Sequence, residues 1–180
     1  HFICYGTLLG MTRDNKIITG DDDVDLLINY KYKNKVLKKM ILNKSFRINK
    51  KVSNKFFVQY IKDDIGITSY VDFYFYINNS KNNYIIEKHN FLSNFKDPRF
   101  SIHFPKEFIF PLKKDKNYKI VSLPKKPEKL CQFLYGADWK TPLKKNISYR
   151  MEIVDNKPLL IKRSFLGSIT RWLKSQLSIN

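Results

Sequence analysis

The sequence predicts a single α+β domain, and three observations carry that expectation. The chain has 180 residues, of which 43% are hydrophobic and 15% aromatic, enough apolar mass for one real core and too much for a disordered chain. Its apolar residues recur at strand-like spacing in some windows and at helical spacing in others. No internal repeat and no linker divides it, so one domain spans residues 1–180.

The elements follow in order. Phe2 to Tyr5 reads as a short buried strand ending at Gly6, and Thr7 to Arg13 as a short helix. Three of the six glycines (Gly6, Gly10 and Gly20) fall within the first twenty residues, which marks this segment as one where backbone turns or approaches something closely. Asn15 to Gly20 is a turn and Asp23 to Ile28 a second strand. Tyr32, Val36, Leu37, Met40 and Ile41 fall at helical spacing, predicting a helix over Lys33 to Asn43. Phe46 to Val52 and Lys55 to Ile61 read as strands, Asp63 to Gly66 as a turn, and Tyr70 to Ile77 as the clearest strand of all.

Asn78 to Pro105 is polar and reads as loops with a short helix. Phe108 to Leu112 and Lys119 to Leu123 read as strands around a basic turn. Pro127 to Tyr135 is a helix, with Pro in its first turn and Gly136 just past its end. Near the C-terminus Phe165, Leu166, Ile169, Trp172, Leu173 and Leu177 share one helical face, so residues 163–178 read as an amphipathic helix. That helix either packs on the core or lies in a bilayer interface, flanked as it is by Lys162, Arg163, Arg171 and Lys174.

Lys and Arg total 34 against 16 Asp and Glu, a formal charge of +18. The lysines are scattered through the chain, which favours a diffuse solvated charge that attracts anionic substrates or an acidic bilayer over a nucleic-acid track. The two cysteines, Cys4 and Cys131, lie far apart, which excludes a disulfide scaffold or zinc ribbon and suits a reducing compartment. No apolar run reaches the ~18 residues of a membrane span. The chain opens on His1 and enters a strand at once, and so reads as a fragment whose N-terminal helix, signal or anchor lies upstream.

Against this basic background Asp21-Asp22-Asp23-Val24-Asp25 places four carboxylates in five residues. On an extended segment Asp23, Asp25 and Leu27 share one face, while Val24, Leu26 and Ile28 point the other way. Two carboxylates at i and i+2 stand ~7 Å apart at the backbone, and they can converge on one hard divalent cation such as Mg²⁺. A calcium loop counted from Asp21 fails, because Leu26 and Tyr32 stand where it needs Gly and Glu. Tyr70 to Ile77 supplies a candidate third carboxylate. Asp72 shares a face with Tyr70, Tyr74 and Tyr76, where a lone acid is costly to bury unless paired, hydrogen-bonded or on a metal. The Gly6-Thr7 turn opens a helix whose free N–H groups favour anions, and Arg13 can add a charge-assisted phosphate contact.

Tyr5-Gly6-Thr7-Leu8-Leu9-Gly10, Arg13, Ile18 and Asp21-Asp22-Asp23-Val24-Asp25-Leu26 together resemble the signature of the LicD/fukutin family of phosphocholine and polyol-phosphate transferases. Pro111-Leu112-Lys113, Pro127-Glu128 and Leu134-Tyr135-Gly136-Ala137-Asp138-Trp139 are similar to its C-terminal segment, so the resemblance covers residues 1 to 145. The chain departs from the pattern at Thr19-Gly20, where Pro-Trp usually precedes the acids, and in lacking the family's upstream helix.

The resemblance implies a nucleotidyltransferase-like (polymerase-beta-like) mixed sheet flanked by helices. It implies Gly6 and Thr7 on donor phosphates, Asp23 and Asp25 as the metal pair with Asp21 helping, and Asp72 as the third acid. With Mg²⁺ or Mn²⁺, such an enzyme moves a phosphoryl-alcohol from a CDP-linked alcohol to a sugar hydroxyl of a cell-surface glycan, as in lipopolysaccharide, capsule or teichoic acid synthesis. Arg13 and Lys113 would steady the donor phosphates, and Asp72 would take the acceptor proton. The implied setting is cytoplasmic, at the inner face of the membrane, with nucleic acid an unfavoured partner. Two rivals stand beside it: a nucleotidyltransferase acting on RNA or a small alcohol, and a non-catalytic domain binding anionic glycans or membranes by charge.

Overall fold

The computed structural model describes residues 1–64, 67–88, 101–114, 121–143 and 149–162; the expected helix over 163–178 lies outside them. The fold is mixed α+β. Strand β1 (Phe2–Ile3) leads into helix α1 (Tyr5–Arg13), and β2 (Asp23–Asn29) passes through a 3₁₀ turn at Tyr30–Tyr32 into α2 (Lys33–Ile41). Then come β3 (Arg47–Ile48), β4 (Phe57–Asp64) and the long β5 (Ile67–Asn78).

The main sheet runs β1-β2-β5-β4-β3. Its β2–β5 pair is parallel, whereas β1–β2, β4–β5 and β3–β4 are antiparallel. Beyond β2, the far end of β5 pairs with β6 (Tyr84–Glu87), which pairs in turn with β7 (Ile102–Pro105). The rest comprises α3 (Lys106–Ile109), a small ladder of β8 (Lys113–Lys114) and β9 (Ser122–Leu123), α4 (Pro127–Tyr135), and the hairpin β10 (Tyr149–Val154) and β11 (Lys157–Lys162).

Period-two alternation splits β2, β4 and β5 between two cores. Leu27, Phe57, Tyr74 and Tyr76 point to the side where Leu8 of α1 and Leu130 and Leu134 of α4 complete a large cluster. Ile28, Val58, Tyr60, Phe73 and Phe75 point to the other, where Val36, Leu37 and Met40 of α2 cover them. Both faces of the sheet are therefore roofed, and any polar group between them is desolvated. No helix among the described residues is long and apolar enough to cross a membrane.

Several sequence expectations need correction. The left-handed residue at the entry to α1 is Tyr5 (φ 45°), its first residue, and Gly6 follows it inside the helix. Tyr5 is held there by packing against Tyr74, 4.7 Å between ring centroids, and by its hydroxyl on Glu87; such contacts offset the ~1 kcal/mol or more that this backbone costs. The strand expected over Phe46–Val52 stops at Ile48, because the Asn49 amide bonds Gln59 Oε1 and the Asn49 carbonyl accepts from Ser53 N–H, turning the chain.

The segment expected as loops with a short helix holds β6 and β7 at its two ends, hidden because β6 spends one inward position on Glu87, while residues 89–100 between them lie outside the described residues. The expected strand over Phe108–Leu112 is instead α3 followed by a cis Phe110–Pro111 bond; a short apolar run does not distinguish the two by period. The β10–β11 hairpin is an addition to the expected elements, its turn formed by Asp155 and Asn156, both at positive φ, the geometry of a tight hairpin turn.

Gly10 is where α1 meets the loop that leads to the acidic run. A Cβ there would stand 2.5 Å from the Lys16 carbonyl and 2.9 Å from Ile18 N, both backbone atoms with no room to move. Gly10→Ala is expected to cost ~3 kcal/mol despite the better helix propensity of Ala, read as a lower urea midpoint.

Candidate active site

The parallel register of β2 and β5 sets Asp23 opposite Tyr70, Asp25 opposite Asp72 and Leu27 opposite Tyr74. Adjacent strands in register put paired side chains on one face, so Asp23, Asp25 and Asp72 gather on the α1 side of the sheet. One carboxylate oxygen from each lies within 4.8 Å of the others. Asp25 and Asp72 are 4% and 3% exposed. Asp21, Asp22 and Asp23 form a second such group nearer solvent, with Asp23 common to both.

Helix α1 roofs the cluster through its first turn. The Thr7 hydroxyl accepts from Asp25 N–H at 2.8 Å, and Thr7 N–H points to Asp25 Oδ2 at 3.4 Å. Both Thr7 groups thus serve Asp25, and the positive end of the helix faces that carboxylate. At Gly6 a Cβ would stand 3.0 Å from Asp21 Oδ2 and 3.5 Å from Asp25 Oδ2, so the missing side chain lets backbone and carboxylates meet.

The opposite wall comes from β4 and β5. Gln59, paired with Asp72 across the ladder, hydrogen-bonds its carboxylate and is itself fixed by the Asn49 amide at 2.7 Å. The Tyr74 hydroxyl reaches both Asp25 and Asp72.

The charge in this site is unstable by itself. Burial, then the Asp23 charge, pushes Asp25 up to about 8 against the opposing Thr7 N–H. Burial lifts Asp72 to about 6, although Gln59 pulls the other way. Asp21 rises to about 6 through burial and the charge of Asp23, and Asp23 is raised by burial and by Asp22. Asp21 Oδ2 and Asp72 Oδ1 are buried without a hydrogen-bond partner. Converging hard oxygens, two of them orphaned, with no lysine or arginine bridging to them among the described residues, fit a divalent cation.

Two residues expected near donor phosphates, Arg13 and Lys113, are not part of the acidic cluster. Arg13 is at the far end of α1, ~10 Å along the axis from Gly6, and its guanidinium is held on the Asp14 carboxylate at 2.7 Å. Lys113 is exposed on β8, and among the described residues no ion pair ties it to the acids.

Sequence reasoning passed over Gln59, Asn49 and Glu87. A lone amide inside the apolar strand Phe57–Ile61 is the signal that could have found Gln59. Glu87 is fully buried and raised by burial to about 8; Tyr5 O–H donates to its Oε2 at 3.1 Å, and its Oε1 has no partner.

A family model described as LicD/FKTN/FKRP, nucleotidyltransferase domain, matches residues 1–120, two thirds of the chain and the whole acidic cluster. No curated protein matches the chain.

Proposed function

The chain belongs to the LicD/FKTN/FKRP family, whose members are transferases of phosphoryl-alcohol type, and on that premise we propose a metal-dependent enzyme that moves phosphocholine or a polyol phosphate from a CDP-linked donor to a sugar hydroxyl of a cell-surface glycan. The observation that carries this reading is the meeting of Asp23, Asp25 and Asp72 on one sheet face beneath the first turn of α1. A parallel strand pair bearing the acids, roofed by helices, also supports a nucleotidyltransferase-like, polymerase-beta-like fold.

In this scheme Asp23 and Asp25 would hold Mg²⁺ or Mn²⁺, with Asp21 beside them, and the chemistry so supplied would be neutralisation of negative charge on the donor diphosphate. Asp72, whose carboxylate stands beside the pair, takes the proton of the acceptor hydroxyl. The hydroxyl oxygen bonds to the alcohol-side phosphorus, the phosphorus–oxygen bond to CMP breaks, and CMP leaves with the electron pair. Tyr74 and Gln59 keep the carboxylates oriented. The wider charge of +18 attracts the anionic donor.

The test is CMP release from a panel of CDP-alcohols with Mg²⁺ or Mn²⁺ and with EDTA, the donor labelled in its alcohol and, separately, in its nucleotide. The proposal expects cation-dependent release with the alcohol label moving to acceptor. Transfer of the nucleotide label would favour the nucleotidyltransferase rival, and turnover unchanged in Asp23→Ala would reject the scheme.

Gly6→Ala makes a finer prediction. The new Cβ presses on Asp21 Oδ2 at 3.0 Å, which displaces a carboxylate tip instead of backbone. Mn²⁺ affinity by calorimetry is expected to fall ~10-fold, while the melting temperature stays level or rises with the better helix former.

A further inference from the structure

We infer that the outer face and C-terminal tip of α2 form a docking surface for an anionic lipid bilayer, separate from the acidic site. The first observation is charge. From Leu26 to Lys62 the chain contains no Asp or Glu, but ten lysines and Arg47. This acid-free stretch supplies α2, β3 and most of β4.

The second observation is which groups face outward. Helix α2 turns Val36, Leu37 and Met40 onto the sheet. Lys35, Lys38, Lys39 and Leu42 fall at i, i+3, i+4 and i+7, on the opposite side, and all are exposed. At the tip Ile41 and Leu42 are 67% and 76% exposed, with Lys44 just beyond. Two neighbouring aliphatic side chains in water, ringed by ammonium groups, suit an interface where the aliphatics enter the acyl boundary and the lysines stay at the headgroups.

This chemistry selects among polyanions. A nucleic acid or an acidic glycan gains nothing from Ile41 and Leu42, and tight phosphate recognition favours the planar fork of arginine. On this stretch lysines outnumber arginine ten to one, and Arg47 is committed to Asp63 at 2.8 Å.

The tip also lies at a telling place in the sheet. Strand β2 begins at Asp23 and ends at Asn29; after the short 3₁₀ turn, α2 returns over the opposite face. Ile41 and Leu42 therefore come back toward the end of the sheet where the carboxylates sit. The next strand agrees, since Ile48 pairs with Tyr60, which pairs with Val71, the neighbour of Asp72. Docking through this tip holds the acidic end of the sheet near the lipid surface. The inference stands on charge and exposure alone and does not depend on the transferase reading.

The experiment is flotation of the full chain with vesicles of phosphatidylcholine alone or mixed with phosphatidylglycerol, at low and high salt. Expected is binding only to the anionic vesicles, weakened by salt. The triple variant Lys35→Glu/Lys38→Glu/Lys39→Glu is expected to lose ~100-fold in affinity, and Ile41→Ser/Leu42→Ser ~10-fold. A control with the same charge change elsewhere, Lys125→Glu/Lys129→Glu/Lys157→Glu, is expected to keep most of the binding. All substituted side chains are exposed, and melting curves verify folding. Equal loss in the control, equal binding to neutral vesicles, or an RNA or heparin affinity matching that for vesicles and untouched by the serine variant would overturn the inference.

Discussion

Asp25→Asn is expected to lower turnover at least ~10³-fold and, in the same protein, to make the cation-free fold more stable. The two effects have one cause. Asp25 is nearly sealed from water, beside Asp23 and Asp72, and burial has pushed it to about 8. Near neutral pH the cation-free fold must either keep a proton on this group or hold an unpaired charge in a desolvated site. Asparagine removes that choice, while its carbonyl oxygen can still accept from Thr7 N–H. A gain on the order of 1–2 kcal/mol in EDTA is expected, read from urea midpoints at pH 8. The rise in melting temperature that Mg²⁺ or Mn²⁺ gives the parent protein should vanish. Retained turnover, or a loss of stability in EDTA, would sink the idea that this carboxylate exists to hold a cation.

The acidic cluster was legible because it rests on period two alone. Asp23, Asp25 and Leu27 share a face in any extended segment, and so do Asp72, Tyr74 and Tyr76. That the two faces meet depends on β2 and β5 being neighbours, parallel and in register at Asp25 and Asp72. Local sequence does not encode that pairing; the order of the motifs, read as a family resemblance, pointed to it. Helix α4 was legible to the residue, since Pro127 and Gly136 mark its ends by backbone chemistry that tertiary contacts rarely override.

What stayed hidden was set by long-range contacts. Tyr5 takes a left-handed backbone because Tyr74 and Glu87, distant in sequence, hold its ring and hydroxyl. Glu87 reads as a surface acid until β6 pairs with β5 and turns it inward. The polar side of the site, Asn49 to Gln59 to Asp72, needs β3 to end early so that Asn49 can turn toward β4. Each is a case of packing overriding local preference, and each lies within the site or against it.

A stability that falls as pH rises should follow from the same buried acids. Asp21 and Asp72 are raised to about 6, and Asp25 and Glu87 to about 8, all above the ordinary carboxylate range. Between roughly pH 4 and pH 8 the folded chain therefore binds more protons than the unfolded chain, and stability declines with pH across that window. The loss begins above the unfolded values and is complete once pH exceeds about 8.

The four groups then divide by remedy. A divalent cation competes with protons for the aspartates, so Mg²⁺ or Mn²⁺ should raise the melting temperature strongly at pH 8 and little at pH 5. Glu87 is outside that cluster, with Tyr5 as its partner, so its share should survive saturating cation. Glu87→Gln should remove that remainder, flattening the profile above pH 6 with cation present, while Asp25→Asn flattens it in EDTA. Melting curves from pH 5 to 9 on the three proteins decide the matter. A parent profile that is flat or rises in EDTA would mean that these carboxylates are not protonated in the fold, and the electrostatic case for a cation among them would fail.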